Sequence, residues 1–139
     1  MASNGKPPFR ADQVGSLLRP AELKEAIEKS EAGELADEVR HEIEDRHIRE
    51  VVKLQEDTGI PTITDGEFRR YEFHTPILTE IEGVEITGRI EFHMHYDDGD
   101  IEYAPPILEV TSKLGWPKDG LLVEDFKFTQ ALTDKTVKV

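Results

Sequence analysis

The chain has 139 residues, enough for one domain with a real core, and carries 30 acidic against 17 basic side chains for a formal charge of -13. That field repels phosphate backbones and anionic lipid, so neither nucleic acid nor a membrane is an expected partner. There is no cysteine, which removes disulfides, thiolate metal ligands and thiol nucleophiles together.

No apolar run approaches the roughly 18 residues of a membrane span, and residues 1–8 (MASNGKPP) have no apolar stretch of the secretory kind. A cytoplasmic protein is expected, with residues 1–8 as a flexible arm. Phe9 to Ser16 reads as a short strand running into a Gly-Ser turn. Pro20 suits the first turn of a helix, where its missing N–H costs nothing. Leu23, Ala26 and Ile27 give that helix one apolar stripe, and Gly33 offers its stop. The strongest helix spans about Asp37 to Thr58, with Asp37 as N-cap. Ile43, His47, Val51 and Leu54 form its apolar face, and Val39, Ile48 and Val52 widen it. Glu42 and Arg46 have the i,i+4 spacing of a surface ion pair.

Gly59 and Pro61 end the helix and lead into a strand over about Pro61 to Thr64. Strand, helix, strand with short links predicts a parallel sheet. The segments Gly83 to Glu91 and Phe92 to Tyr103 alternate apolar and polar residues, broken at Asp97-Asp98-Gly99-Asp100. They predict an inserted antiparallel hairpin with Ile90, Phe92, Met94 and Tyr96 on one face. Pro105-Pro106 and Trp116-Pro117 bracket another short element. Glu124 to Leu132 reads as a helix, and Thr136 to Val139 as the start of a further strand.

The densest polar cluster, TDGEFRR (Thr64 to Arg70), follows the second strand at its C-terminal end, where α/β barrels keep their chemistry. Its carboxylates Asp65 and Glu67 and its guanidiniums Arg69 and Arg70 suit a zwitterion. A carboxylate takes the ammonium, and an arginine fork takes the ligand's carboxylate. The same cluster reads equally as a solvated turn with a local ion pair. Gly15 and Ser16, in VGSLLRP, would let a ligand approach the backbone, although a plain turn has the same pattern. His93 and His95 share one strand face, with Asp97 and Asp100 nearby, a spacing open to zinc but read first as the polar face of an exposed hairpin. His47 reads as a core histidine. Phosphate-binding glycine loops of the usual types are absent.

Taken in order, FRADQVGSLLRP, VVKLQEDTGI, TITDGEFRR and VEDFKFTQALTDKTVKV form a series that resembles the cobalamin-independent methionine synthase family. The likeness is greatest to its single-barrel, 5-methyltetrahydropteroyltriglutamate–homocysteine methyltransferase-like paralogues, over about Phe9 to Val139. It implies a partial (β/α)8 TIM barrel over residues 9–139, with the first two to three strands and the hairpin inserted at about 83–104. It also implies the family's chemistry, zinc-dependent methyl transfer from a methyl-folate to a thiol such as homocysteine. By the same resemblance Gly15 and Ser16 match the turn that binds the amino acid's carboxylate end, and Glu67 matches the glutamate that holds its amino group. Asp65, Arg69 and Arg70 are further candidates. The family's zinc ligands include cysteines, so no metal ligand is assigned here, and no catalytic residue. A whole barrel takes about 250 residues. The expectation is therefore a truncated or partial protein that does not support methyl transfer alone. The alternative is a non-catalytic binding or oligomerisation module, closed by a homo-oligomer or a complementary barrel fragment.

Overall fold

The computed structural model describes residues 13–70, 72, 74–97 and 99–139. Two compact units divide the chain: one comprises residues 1–73 and 122–139, the other His74–Leu121. The arm expected over residues 1–8 lies outside the described residues.

In the first unit, α1 (Ala21–Glu31) and α2 (Asp37–Asp57) precede β1 (Thr62–Thr64). Pro20 caps α1, as its fixed φ allows. Leu23 and Ala26 are buried, and Ile27 packs beside them against the core. The first unit resumes after residue 121 with α4 (Val123–Gln130) and β6 (Thr136–Lys138). The strands β1 and β6 lie side by side and parallel, with Ile63 opposite Val137. These two residues join Leu23, Ile48, Val51, Val52 and Phe68 in one buried cluster.

Helix α2 departs from its apolar reading in register. The buried face is Glu44, His47, Ile48, Val51, Val52 and Gln55, whereas Val39 and Leu54 are exposed. The helical spacing holds, but two polar residues take places on the inner face because each has partners there. Gln55 donates from Nε2 to the carbonyls of Val51 (3.0 Å) and Thr64 (2.8 Å), and its Oε1 accepts from the Thr64 N–H at 3.0 Å. Its amide thus serves Thr64 as a neighbouring strand would. Glu44 is fully buried and accepts from Arg40 Nη1 at 2.7 Å, while its Oε2 has no partner. Ala36, not Asp37, is the N-cap, and Asp37 accepts instead from Ser30 Oγ at 2.9 Å. Arg46 likewise passes over Glu42 for Glu22 on α1, at 2.6 Å, where His47 Nε2 also meets Glu22 at 3.1 Å.

Of the strand expected over Phe9 to Ser16, residues 9–12 lie outside the described residues and residues 13–16 form no strand. The chain turns on itself there. Gln13 Nε2 donates to the carbonyls of Val14 and Gly15, each at 3.3 Å.

The second unit holds α3 (Thr75–Thr79), β2 (Glu82–Arg89), β3 (Phe92–Tyr96), β4 (Gly99–Tyr103) and β5 (Pro106–Gly115). The hairpin is β3 with β4, in register from Phe92 opposite Tyr103 to Tyr96 opposite Gly99. The antiparallel hairpin expected around the Asp97–Asp100 break is thus formed by β3 and β4, while the first of the alternating segments, residues 83–91, stands outside it. Instead β2 pairs antiparallel with β5, enclosing the hairpin between them in sequence. The short connection after Tyr96 lets β3 and β4 find each other locally, which leaves β2 to the next extended segment. None of the described residues in this unit is buried; Phe92, Met94, Tyr96, Ile101 and Tyr103 are all exposed. Among the described residues no helix is long and apolar enough to cross a membrane.

Two consequences are measurable. Gln55→Leu strands the buried N–H and C=O of Thr64, so urea unfolding should register a loss of about 1–3 kcal/mol; an unchanged midpoint would remove Gln55 from the fold's supports. Burial raises the pKa of Glu44, against the opposing charges of Arg40, His41 and Arg69. An acid with a raised folded pKa stabilises most below its ordinary range, and that contribution is lost as pH rises through the folded value. Glu44→Gln should therefore gain on the wild type as pH rises from just above the ordinary glutamate range to neutrality. Equal pH profiles of unfolding for the two proteins would contradict this.

Candidate functional site

Beyond β1 the chain makes a tight turn over residues 65–69, and its geometry follows from three local choices. Thr64 Oγ1 accepts from the Gly66 N–H at 3.0 Å, and Asp65 Oδ1 accepts from the Glu67 N–H at 2.9 Å, the carboxylate folding the chain as aspartates do in turns. Gly66 has φ +73°, and a Cβ there would sit 3.0 Å from the Phe68 ring. Glu67 follows with φ +58°, a left-handed conformation that costs a side-chain-bearing residue about 1–2 kcal/mol. Phe68 then drops into the core.

The two arginines diverge. Arg70 is buried and meets Asp65 Oδ1 at 3.3 Å. Arg69 turns toward the helices, bonding Asp45 at 2.5 Å and Asp125 at 3.4 Å, and lies over the Phe128 ring at 4.7 Å. Arg49 meets the same ring at 4.9 Å. Arg69 therefore ties the turn to α2 and α4.

The segment before α1 returns to this turn from some fifty residues away. The Leu17 N–H donates to the Gly66 carbonyl at 3.1 Å, and Arg19 Nη2 donates to the Glu67 carbonyl at 2.9 Å and also to that of Arg70. Between the segment and the ends of β1 and β6 lies a cavity of about 170 Å³, lined by Gln13, Val14, Gly15, Thr64, Asp65, Glu67, Arg70 and Lys138 together with Val139. Gly15 has φ +75°, and the space beside its Cα is open, so backbone is accessible there. Ser16 is exposed and is not among the lining residues. Asp65 is 1 % exposed, and its Oδ2 has no hydrogen-bond partner. A buried acceptor left in that state costs free energy until a donor reaches it.

Of the residues singled out from sequence, Gly15, Asp65, Glu67 and Arg70 thus share one cavity, whereas Arg69 points elsewhere. His93 and His95 lie on the exposed face of the hairpin, opposite Glu102 and Asp100, and His95 Nδ1 meets Asp100 at 2.7 Å. Among the described residues no three His, Cys, Asp or Glu side chains are grouped to hold a metal ion. His47 is buried between Glu22 and Glu50. Sequence reasoning missed Arg19, whose partners are carbonyls and carry no signature.

No protein-family model matches the chain. Its sequence is 38 % identical over 138 residues to the Bacillus subtilis protein YxjG, covering 96 % of this chain and 35 % of that one. It is 31 % identical over 120 residues to the methionine synthase of Sulfurisphaera tokodaii, covering 86 % of this chain and 33 % of the relative. The fold superimposes on the putative vitamin-B12-independent methionine synthase of Listeria monocytogenes with a TM-score of 0.70 and 32 % identity, over 96 % of this chain and 36 % of that structure. The chain therefore spans about a third of the length of these proteins. The fold and nearly the whole of this sequence agree with the same relatives, and along that length the chain resembles the cobalamin-independent methionine synthases.

Proposed function

We propose that the cavity beyond β1 is the amino-acid end of a thiol-substrate pocket, and that this chain contributes it to methyl transfer from a methyl-folate donor to a thiol such as homocysteine. The observation that carries this reading is the convergence of Gly15 with Asp65, Glu67 and Arg70 on one small cavity. A free ammonium suits the Glu67 carboxylate and the unpartnered Oδ2 of Asp65. The guanidinium of Arg70, with its Nε buried and unbonded, and the open backbone at Gly15 suit the ligand's carboxylate. On this reading Ser16, the next residue in the chain after Gly15, serves the same end of the ligand. On this reading the first unit is part of a (β/α)8 barrel, and residues 83–104 belong to an insertion.

Zinc would supply thiolate activation in the family. The residues of this chain do not fit it: there is no cysteine, and no suitable trio stands among the described residues. The chain's own work is to bind and orient the amino-acid end.

Titration calorimetry with L-homocysteine tests the site. The wild type should bind, and Glu67→Gln should weaken binding by about 1–3 kcal/mol, the cost of a lost charged hydrogen bond. Equal affinities would take Glu67 out of the pocket.

A second reading, a binding or oligomerisation module, draws support from the β1–β6 pair. Parallel sheets are usually larger and covered on both faces, yet among the described residues these two strands pair only with each other. A second copy or a complementary barrel fragment would complete such a sheet. Light scattering behind gel filtration should then give a mass of two or more chains, and a stable monomer would remove self-association as the means of closure.

A further inference from the structure

Arg19 reaches the turn after β1 from the segment before α1 and spends its hydrogen bonds on backbone. Its Nη2 donates to the carbonyls of Glu67 and Arg70. The Glu67 carbonyl also accepts from the Arg70 N–H at 3.2 Å, and the preceding carbonyl, that of Gly66, accepts from the Leu17 N–H at 3.1 Å. On its N-terminal side, Glu67 donates its N–H to Asp65 Oδ1 at 2.9 Å. The two peptide planes flanking Glu67 are thereby held from both sides, which fixes its φ and ψ. That matters at this residue because φ is +58°, a conformation the chain would leave if released.

Arg19 is not a ligand contact in its own right. It does not line the cavity, and its Nε is buried. Its guanidinium grips the backbone of the turn that carries Glu67, a lining residue of the cavity. A charged donor on neutral carbonyls makes stronger bonds than a neutral one. Its planar fork also fixes direction in a way that an ammonium does not.

We propose that Arg19 is a positioning residue: it holds Glu67 in the left-handed conformation from which the carboxylate faces the cavity, and so sets affinity for the amine of the bound ligand. The inference rests on the reading of the cavity as an amino-acid site.

The test is a double-mutant cycle between Arg19 and Glu67, read by calorimetric titration with L-homocysteine and by urea unfolding of each protein. Arg19→Gln should weaken binding about tenfold in the wild-type background, and by less than about twofold when Glu67→Gln is already present, because the effect passes through Glu67. A merely structural role would weaken both backgrounds alike. Arg19→Lys keeps the charge and the stem should Arg19→Gln fail to fold, and it is expected to show the same background dependence with a smaller loss. Wild-type affinity in the Arg19 variants, or equal losses in the two backgrounds, overturns the positioning role and leaves the amino-acid site standing. Absence of homocysteine binding by the wild type overturns both.

Discussion

The three residues of β1 are buried along their whole length, and a buried strand must find a partner for each backbone N–H and C=O. On one side β6 supplies them. At Thr64 the supplier is the side-chain amide of Gln55, which matches the donor and acceptor of a peptide group at once. The rest of the first unit follows from this constraint. Helix α2 must keep a polar residue on its inner face, β1 is fixed in depth beside it, and the turn that leaves Thr64 starts from a defined place. Ile63 and Val137 then close the core between the strands and the helices.

Where that turn begins decides what its side chains can do. Two consecutive left-handed residues, Gly66 and Glu67, reverse the chain. Phe68 is sent inward, Arg69 toward α2 and α4, and Arg70 back beneath the cavity. One short segment therefore divides its charges between holding the fold and lining the cavity. The ion pairs of Arg69 with Asp45 and Asp125, and its stacking on Phe128, belong to the first task. Asp65 and Glu67 face the second.

The sequence made some of this legible. Helices α1 and α2, strands β1 and β6, and the polar turn after β1 stand close to where periodicity, Pro20 and Gly59 put them. The inner face of α2 was misread because Leu54 is more apolar than Gln55, and only the backbone of Thr64 reverses their places. The pairing of β2 with β5 was hidden for a similar reason: alternation marks a strand but does not name its partner. Arg19 was invisible because a side chain that binds carbonyls some fifty residues away leaves no motif. Gly15, Asp65, Glu67 and Arg70 were picked out by resemblance and chemical type, and only the folded chain could separate Arg70 from Arg69.

The second unit has a different physical character. Its strands are hydrogen-bonded, yet none of its described residues is fully buried. Hydration of newly exposed apolar surface produces most of the heat capacity of unfolding and scales the denaturant dependence. Melting His74–Leu121 therefore exposes less hidden surface than melting the first unit, and its calorimetric signature is the smaller. Unfolding monitored by heat absorption is therefore weighted toward α1, α2, α4 and the pair of β1 with β6, and toward the hairpin strands least.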